Sequence, residues 1–585
     1  MQHIYSQSIA LIGGGPAALM ILKHIVENKQ YPNTITIFEK NDRLGVGMPY
    51  GKNGSNKEHV ANISASELPD FEINFEDYIT KHPPHEFPDF YSNGVFNVNQ
   101  VIPRLVLGNY LEFLFHWYIK TVQKEGCTVV IKTNCTVDDI AFNNDNQYTI
   151  STNSEDLFYV DIVILCTGHS WPKKYEEQVK GWFDSPYPPS KFTAELNGHV
   201  AIRGTSLTAV DAVKTLARLN GTYVSHEDGK LTYELHEGSE NFKITLFSTG
   251  GFLPALRFHS DGEAYSSSWL MSMKDIYDYK SCHGGFVDLD YVFDLNFKQP
   301  LKEKDPDFYE KIKNLNIEDF AEHMLELRKE VDSFDLFKAE YREAEKSIDR
   351  QQPISWKEML ADFSYAMNYP AKHFSAEDML RLRKSMMPLI SVIIASLPQS
   401  SYREIISLYE AGLIDLIQVD KDSKVVPHEE SGAVYHYTSE NQQILEKHYS
   451  IFIDAIGQQP INYEDFPFEG IKKDNLLSQA YLSFKDNENA AALLSEGNRQ
   501  VYKGYNDNYY LRIPGLEIND YFQAMNSYGE IISGLYIMAV PLIGGLNPDY
   551  SGLDFCDTAA ERIVSSLFAD QLEKPDAEEQ DEIAS

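Results

Sequence analysis

An apolar run, Ser8-Ile-Ala-Leu-Ile12, stops at Gly13-Gly-Gly-Pro-Ala-Ala18 and is followed, from Leu19 to Val26, by apolar residues at helical spacing. A second apolar run, Thr34-Ile-Thr-Ile-Phe38, ends in Glu39, 24 residues beyond Gly15. This order of strand, glycine turn, helix and acid-closed strand constrains the chain more than any other feature, because it predicts the first βαβ half of a doubly wound sheet. A pyrophosphate at a helix N-terminus needs free backbone N–H groups and no side chain in the way. Gly13 therefore makes the turn, Gly15 permits close approach, Ala18 lets helix and strand pack, and Glu39 is spaced to meet ribose hydroxyls.

The pattern restarts at His199. Val200-Ala-Ile202 runs into Arg203-Gly-Thr-Ser-Leu-Thr-Ala209 and a helix through Val210, Val213, Leu216 and Ala217, with serine at the middle glycine position. A strand over 243–247 follows and ends at Ser248-Thr-Gly-Gly251. Each unit has its own closing strand after a polar hairpin, the first ending in Cys166-Thr-Gly168 and the second in Asp454-Ala-Ile-Gly457. Two such units place two nucleotide cofactors face to face, as hydride transfer from a nicotinamide to a flavin requires.

The fold class expected is α/β, with two dinucleotide-binding, Rossmann-like, doubly wound domains and an inserted helical segment. Residues 1–198 are read as the first dinucleotide-binding domain, with a loop-rich, aromatic excursion over 41–110 across the sheet edge that could cover a bound cofactor. Residues 199–300 are read as the second dinucleotide-binding domain. Over 301–408 the composition shifts to Glu, Lys, Leu and Met at spacings of three and four, an acidic helical insertion in which Ser375-Ala-Glu-Asp378 forms a capping box. Residues 409–570 return to the sheets and end in a flavin-side helix from about Asp554, and 571–585 read as a disordered acidic tail.

Charge and cysteine usage narrow the partners. With 51 Lys+Arg against 87 Asp+Glu, the net charge of −36 repels phosphate backbones and anionic membrane surfaces, so neither nucleic acid nor membrane is expected as a partner. The apolar stretch over 386–397 contains Pro388 and is too short to span a bilayer. The five cysteines are widely spaced with no C-x-x-C, which argues against a disulfide framework, a zinc site or a redox dithiol and suggests a reducing, cytoplasmic setting.

The chain resembles the bacterial FAD-NAD(P)-binding flavoproteins related to N-hydroxylating and other class B flavin monooxygenases. The resemblance is carried by Gly13 to Ala18 with Glu39, Gly45-Val-Gly-Met-Pro-Tyr50, His59-Val-Ala-Asn62, Arg104 with Gly108 and Tyr110, Cys166-Thr-Gly-His169, Gly204 to Asp211 and Gly250-Gly-Phe-Leu-Pro254. It implies FAD on the first turn and NAD(P)H on the second. Gly13, Gly15, Pro16, Ala17, Ala18, Glu39, Lys40, Arg43, Gly45, Arg104, Thr167 and Gly168 are assigned to cofactor binding, as are Gly204, Thr205, Ser206 and Ala209 and, near the C-terminus, Gly457, Asn547, Ser551 and Gly552. His59 and His169 are candidate acids or bases and Asn62 a candidate partner of the flavin ring edge, each against a reading as ordinary packing or turn residues. Arg43 and Arg104 could meet FAD phosphates or form structural ion pairs. Where members of the family often carry arginines after the second unit's second strand, this chain has Ser248-Thr-Gly250, which leaves Arg203 and Arg257 as the bases nearest in sequence for a 2′-phosphate.

These features predict an FAD-dependent, NAD(P)H-oxidising enzyme, monooxygenase-like, acting on a small metabolite such as an amine with O2. The alternatives are a flavin reductase or dehydrogenase without oxygen transfer, and a non-catalytic binding module built on the same scaffold.

Overall fold

The structure is a computed structural model that describes residues 4–92, 94–169, 171–192, 196–261, 270–439, 443–549 and 551–572. The acidic tail expected from 571 lies, after Leu572, outside the described residues. Strands β1 (Ile4–Ile12), β2 (Tyr31–Phe38), β3 (Thr128–Lys132), β4 (Ile162–Leu165), β5 (His199–Arg203), β6 (Lys243–Ser248), β7 (Ile414–Gln418), β8 (Ile451–Asp454), β9 (Gln523–Met525) and β10 (Ile531–Ile537) form two sheets.

The first sheet runs β9-β10-β4-β1-β2-β3, parallel except for β9. The second runs from an edge strand, Trp182–Phe183, through β8-β5-β6-β7 and is parallel throughout. Helices on both faces explain why the central strands read as continuous apolar runs rather than alternating ones. Ile9, Leu11, Ile35, Ile37, Val163 and Ile164 are all buried. A three-stranded antiparallel meander precedes each closing strand, over 137–160 before β4 and over 424–449 before β8. The fold class read from sequence is therefore the fold observed, down to the repeated unit.

Three differences concern extent. The second sheet takes its edge strand from Trp182–Phe183, inside the segment assigned to the first domain. Helical structure begins at Met273–Cys282 instead of 301, opened by a Ser272–Asp275 capping box that has no long amphipathic run behind it. The helix Gln399–Glu410 and helix α4 (Ser333–Arg350) pack into the second sheet's core, where Phe334, Phe337 and Tyr402 join Leu216 and Ile244. The Ser375 cap does form, its hydroxyl accepting from the Asp378 N–H at 3.1 Å. A further antiparallel sheet, Gln479–Ser483, Val501–Lys503 and Tyr509–Leu516, had no sequence signal.

The aromatic excursion is not a loose cover. Val60–Ser64 pairs with Val101–Pro103, and Phe71, Phe75, Phe96 and Tyr110 pack edge to face with one another on helix α2 (Arg104–Lys124), here numbered after α1 (Pro16–Asn28) and ahead of α3 (Leu207–Asn220). Phe75 and Tyr110 are buried in the core they share with the first sheet, and Phe71 and Phe96 pack half-buried against it. Among the described residues no helix is long and apolar enough to cross a membrane.

Glu517, just after the strand Tyr509–Leu516, accepts the Tyr481 N–H at 3.0 Å, and burial pushes its carboxyl up to about 7 against the nearby Lys372 charge. Raised above its unfolded value, it contributes stability that is complete at acid pH and is lost as pH rises from about 4.5 to about 7. Glu517→Gln should therefore gain on the wild type by about 1–2 kcal/mol more at pH 8 than at pH 5 in urea unfolding. An equal difference at both pH values would show that the carboxylate is not the burden.

Candidate functional site: two equivalent dinucleotide turns

The two glycine turns are built alike. Gly13 has φ +106°, its N–H donates to the Phe38 carbonyl at 2.9 Å, and a Cβ there would lie 2.6 Å from the Cys166 carbonyl oxygen. Gly204 has φ +119°, its N–H donates to the Phe247 carbonyl at 2.8 Å, and a Cβ there would lie 2.8 Å from the Ala455 carbonyl oxygen. Glycine is required at both by backbone conformation and by space. The helices that follow, α1 and α3, bury Ala18 and Ala209 completely against their strands.

The first turn carries a cradle that the second lacks. Gly15 caps α1, Pro16 stands at the first helical position where no N–H is needed, and Ala17 is half-buried beside them. A Cβ on Gly15 would stand 3.3 Å from the Cα of Gly47, and Gly45 donates its N–H to the Gly14 carbonyl at 2.7 Å. Two backbones thus approach without side chains in front of a helix N-terminus, which fits a bound pyrophosphate. At the second turn, Thr205 is half-buried and Ser206, the residue that caps α3, is exposed.

Glu39 sits where the spacing puts it. It is 6% exposed, with Oε2 accepting the Gly14 N–H at 3.0 Å and Oε1 accepting the Asn41 backbone and side-chain N–H groups at 2.8 Å. Lys40 beside it is exposed. The register pairs Ile12 with Phe38 and Arg203 with Phe247, so the second unit's counterpart of Glu39 is Ser248.

The arginines are placed differently from the phosphate-binding expectation. Arg43 is held by Glu112 at 2.6 Å and Asn109 at 2.8 Å. Arg203 forms a bidentate pair with Asp454, and Arg257 pairs with Glu67 while donating to the Asn62 carbonyl at 3.1 Å. Arg104 reaches across to the second unit. Its Nη1 meets Asp211 Oδ2 on α3 at 2.6 Å, its Nη2 meets Oδ1 at 3.3 Å, and its Nε donates to the Val60 carbonyl at 2.9 Å. The Tyr187 hydroxyl donates to the same carboxylate at 2.6 Å.

His59 belongs to this clamp. It is 1% exposed, Nδ1 accepts the Asn56 N–H at 3.0 Å, and Nε2 donates to the Asp211 carbonyl at 3.2 Å or the Thr215 hydroxyl at 3.1 Å. Burial holds its pKa below the ordinary histidine value, so the ring is neutral and spoken for. Asn62 is exposed and engaged through its carbonyl. His169 links the two closing motifs, its Nδ1 meeting Gln458 Oε1 at 2.6 Å, with burial lowering its pKa. Thr167 is half-buried, and Gly168 and Gly457 are exposed with open space at their Cβ positions.

The C-terminal segment meets the helical middle. Helix α6 (Gly552–Leu572), which follows α5 (Ser355–Met367), packs along α1, and Lys23 and His24 grip Asp557 at 2.7 and 2.8 Å. Ser551 and Gly552 are exposed at its start. Asn547 is 2% exposed and donates to the Asn368 carbonyl at 2.7 Å, the Asp549 N–H donates to Asn368 Oδ1 at 3.1 Å, and the Ser364 hydroxyl donates to the Asp549 carboxylate. Asn547 thus anchors the middle helices. Burial pushes the Asp549 and Asp554 carboxyls each up to about 6, with the Asp554 charge adding to the rise at Asp549 and the Asp557 and Glu67 charges adding to it at Asp554. Burial also pushes Tyr50 and the Cys556 thiol up to about 12. Nothing in the sequence around Ser364 and Asn368 marked this contact, because short polar side chains on an amphipathic helix carry no pattern of their own.

The FAD-NAD(P)-binding family model matches residues 10–170, and that of a YdhS-like middle domain matches residues 272–394, starting at the Ser272 cap. The chain is similar to the uncharacterized protein YdhS of Escherichia coli K12, 26% identical over 471 residues that cover 80% of this chain and 86% of that one. Among solved structures it is similar to the ornithine N-hydroxylase of Kutzneria sp. 744, at 11% identity and a TM-score of 0.49, covering 97% of this chain and 100% of that one. It is also similar to cyclohexanone monooxygenase from Rhodococcus sp. Phi1 bound to NADP+, at 11% identity and a TM-score of 0.41, covering 97% and 85%.

Asp211→Asn leaves the Arg104 charge buried and half-paired, and should cost about 3–5 kcal/mol in denaturant unfolding. The double variant Arg104→Met/Asp211→Leu should recover most of that loss. A double variant as unstable as the single one would mean that the clamp rests on Tyr187 and His59 instead.

Proposed function

We propose that the protein is an FAD-dependent, NAD(P)H-oxidising enzyme, monooxygenase-like, that oxidises a small metabolite with O2. The observation that carries this reading is the pair of equivalent turns, Gly13–Ala18 and Gly204–Ala209, on two sheets tied together by Arg104, Asp211 and His59. An amine is the substrate class to which the motif resemblance points. A cytoplasmic setting is the companion proposal, in keeping with five unpaired cysteines.

When bound, FAD supplies a hydride acceptor for NAD(P)H and a reduced form that reacts with O2. The chain's own residues do the rest. The cradle of Gly13 to Gly15 with Gly45 and Gly47 admits the pyrophosphate, and the N-terminus of α1 offsets its charge. Glu39 is placed to accept from ribose hydroxyls. The helix dipole at the start of α6 would favour negative charge on a reduced ring, while Asp554 in its first turn opposes that charge when ionised. Burial keeps the Cys166 and Cys556 thiols protonated, which disfavours a thiolate route for the electrons and separates this reading from disulfide reduction.

The decisive measurement is the absorption spectrum of the purified protein before and after anaerobic NADPH, and again after air. A flavin spectrum that NADPH bleaches and air restores is expected, and Gly15→Val should give folded protein with little flavin. Colourless wild-type protein, or flavin that NADPH leaves oxidised, would sink the reading. Serine at 248 carries no charge to repel or to pair with a 2′-phosphate, and Arg203 and Arg257 are already paired. NADH and NADPH should therefore reduce the flavin at rates within tenfold of each other, a difference of under about 1.4 kcal/mol. Oxygen transfer, as against plain reductase chemistry, would appear as hydrogen peroxide yield falling when the right member of an amine panel is added.

A further inference from the structure

We propose that Arg383, on the helical middle segment, is an oxyanion-binding residue of the site formed where that segment meets the C-terminal loop. The inference rests on the FAD and NAD(P)H reading above and adds to it a ligand-binding role for the middle helices.

Arg383 lies in Leu382–Met386, a turn with wide π-type hydrogen bonding between the helices Ala376–Arg381 and Met387–Ile393. Such turns concentrate at functional sites, because the inserted residue disturbs the regular ladder and persists only where it has a use. The side chain is half-buried, and its Nη2 donates to the Gly545 carbonyl at 3.0 Å, on the loop that leads into α6. Among the described residues no carboxylate comes within ion-pairing distance of it, and burial holds its pKa below the usual arginine value with no anion to raise it.

The neighbouring arginines show how unusual this is. Arg381, two residues earlier, is surrounded by Glu318, Asp290 and Asp378. Arg328 has Glu340, Arg104 has Asp211 and Arg43 has Glu112. In a chain with 87 acidic residues, Arg383 is taken partly out of water with no carboxylate beside it among the described residues, and Arg562, half-buried in the same way, is instead stacked on the Tyr369 ring and donates to the Asp520 carbonyl. A partly desolvated cation is costly until an anion meets it, and a guanidinium keeps its charge at any working pH. Arg383 presents a planar fork that suits a carboxylate or a phosphate, so the ligand's shared chemistry is an oxyanion: either the carboxylate of a small substrate or a phosphate of the nucleotide cofactor.

The test uses the protein as purified, with Arg383→Gln, and with Arg383→Met as a stand-in that keeps the packing of the stem should the glutamine variant fail to fold. Two probes, succinate and inorganic phosphate, are titrated while the thermal midpoint is read, and the NADPH concentration for half-maximal flavin reduction is measured in parallel. Wild type should be stabilised by at least one probe, and the variant should need at least tenfold more of it. Loss confined to succinate, with NADPH unchanged, assigns the residue to a substrate carboxylate. A tenfold rise in the NADPH requirement assigns it to a cofactor phosphate. A wild type indifferent to both probes and a variant with a normal NADPH requirement would overturn the proposal, as would a variant that responds like wild type throughout. The probe titrations need no flavin, so their failure is distinguishable from failure of the flavin assignment.

Discussion

The pair Arg104–Asp211 is the contact on which the arrangement of the two dinucleotide units depends. It takes two charges largely out of water, which is unfavourable until other bonds complete it, and here the Val60 carbonyl, the Tyr187 hydroxyl and the His59 ring gather around it. A bidentate pair closes only when both oxygens meet the fork, so it admits one placement of α3 against the excursion that carries Arg104. The contact between His169 and Gln458 repeats the tie at the ends of the two closing strands. Arg218 with Glu58 and Arg257 with Glu67 add further ties between the two units.

The middle helices are fastened to the first unit just as firmly. Ser364 and Asn368 hold the loop from Asn547 to Asp549, Tyr365 meets Thr558 at 3.1 Å, and the Arg562 guanidinium lies 4.3 Å from the centre of the Tyr369 ring. An insertion that is merely appended would leave the α6 start open. This one closes against it through these contacts.

Four arginines illustrate the limit of reading charge from sequence. Arg43, Arg104, Arg203 and Arg257 each stand near a cofactor motif in the chain, and each is paired with a carboxylate, Glu112, Asp211, Asp454 and Glu67 respectively. With so many acids available, proximity to a motif was a weaker guide than the abundance of partners. Arg383, far from every motif, has no carboxylate partner among the described residues and donates to the Gly545 carbonyl.

The sequence by itself determined the repeated unit: two strand-turn-helix segments, their closing strands, the acid at Glu39 and its absence at Ser248. These are local matters, since a positive φ at Gly13 or Gly204 and an apolar run long enough to be a strand are set by neighbouring residues and by backbone sterics. Tertiary structure alone decided what His59, Arg104, Asn547 and Ser364 do. Their partners lie far along the chain, 107 residues away for Arg104 and 179 for Asn547, and only the packed core selects which of many equivalent carboxylates and carbonyls comes within bonding distance.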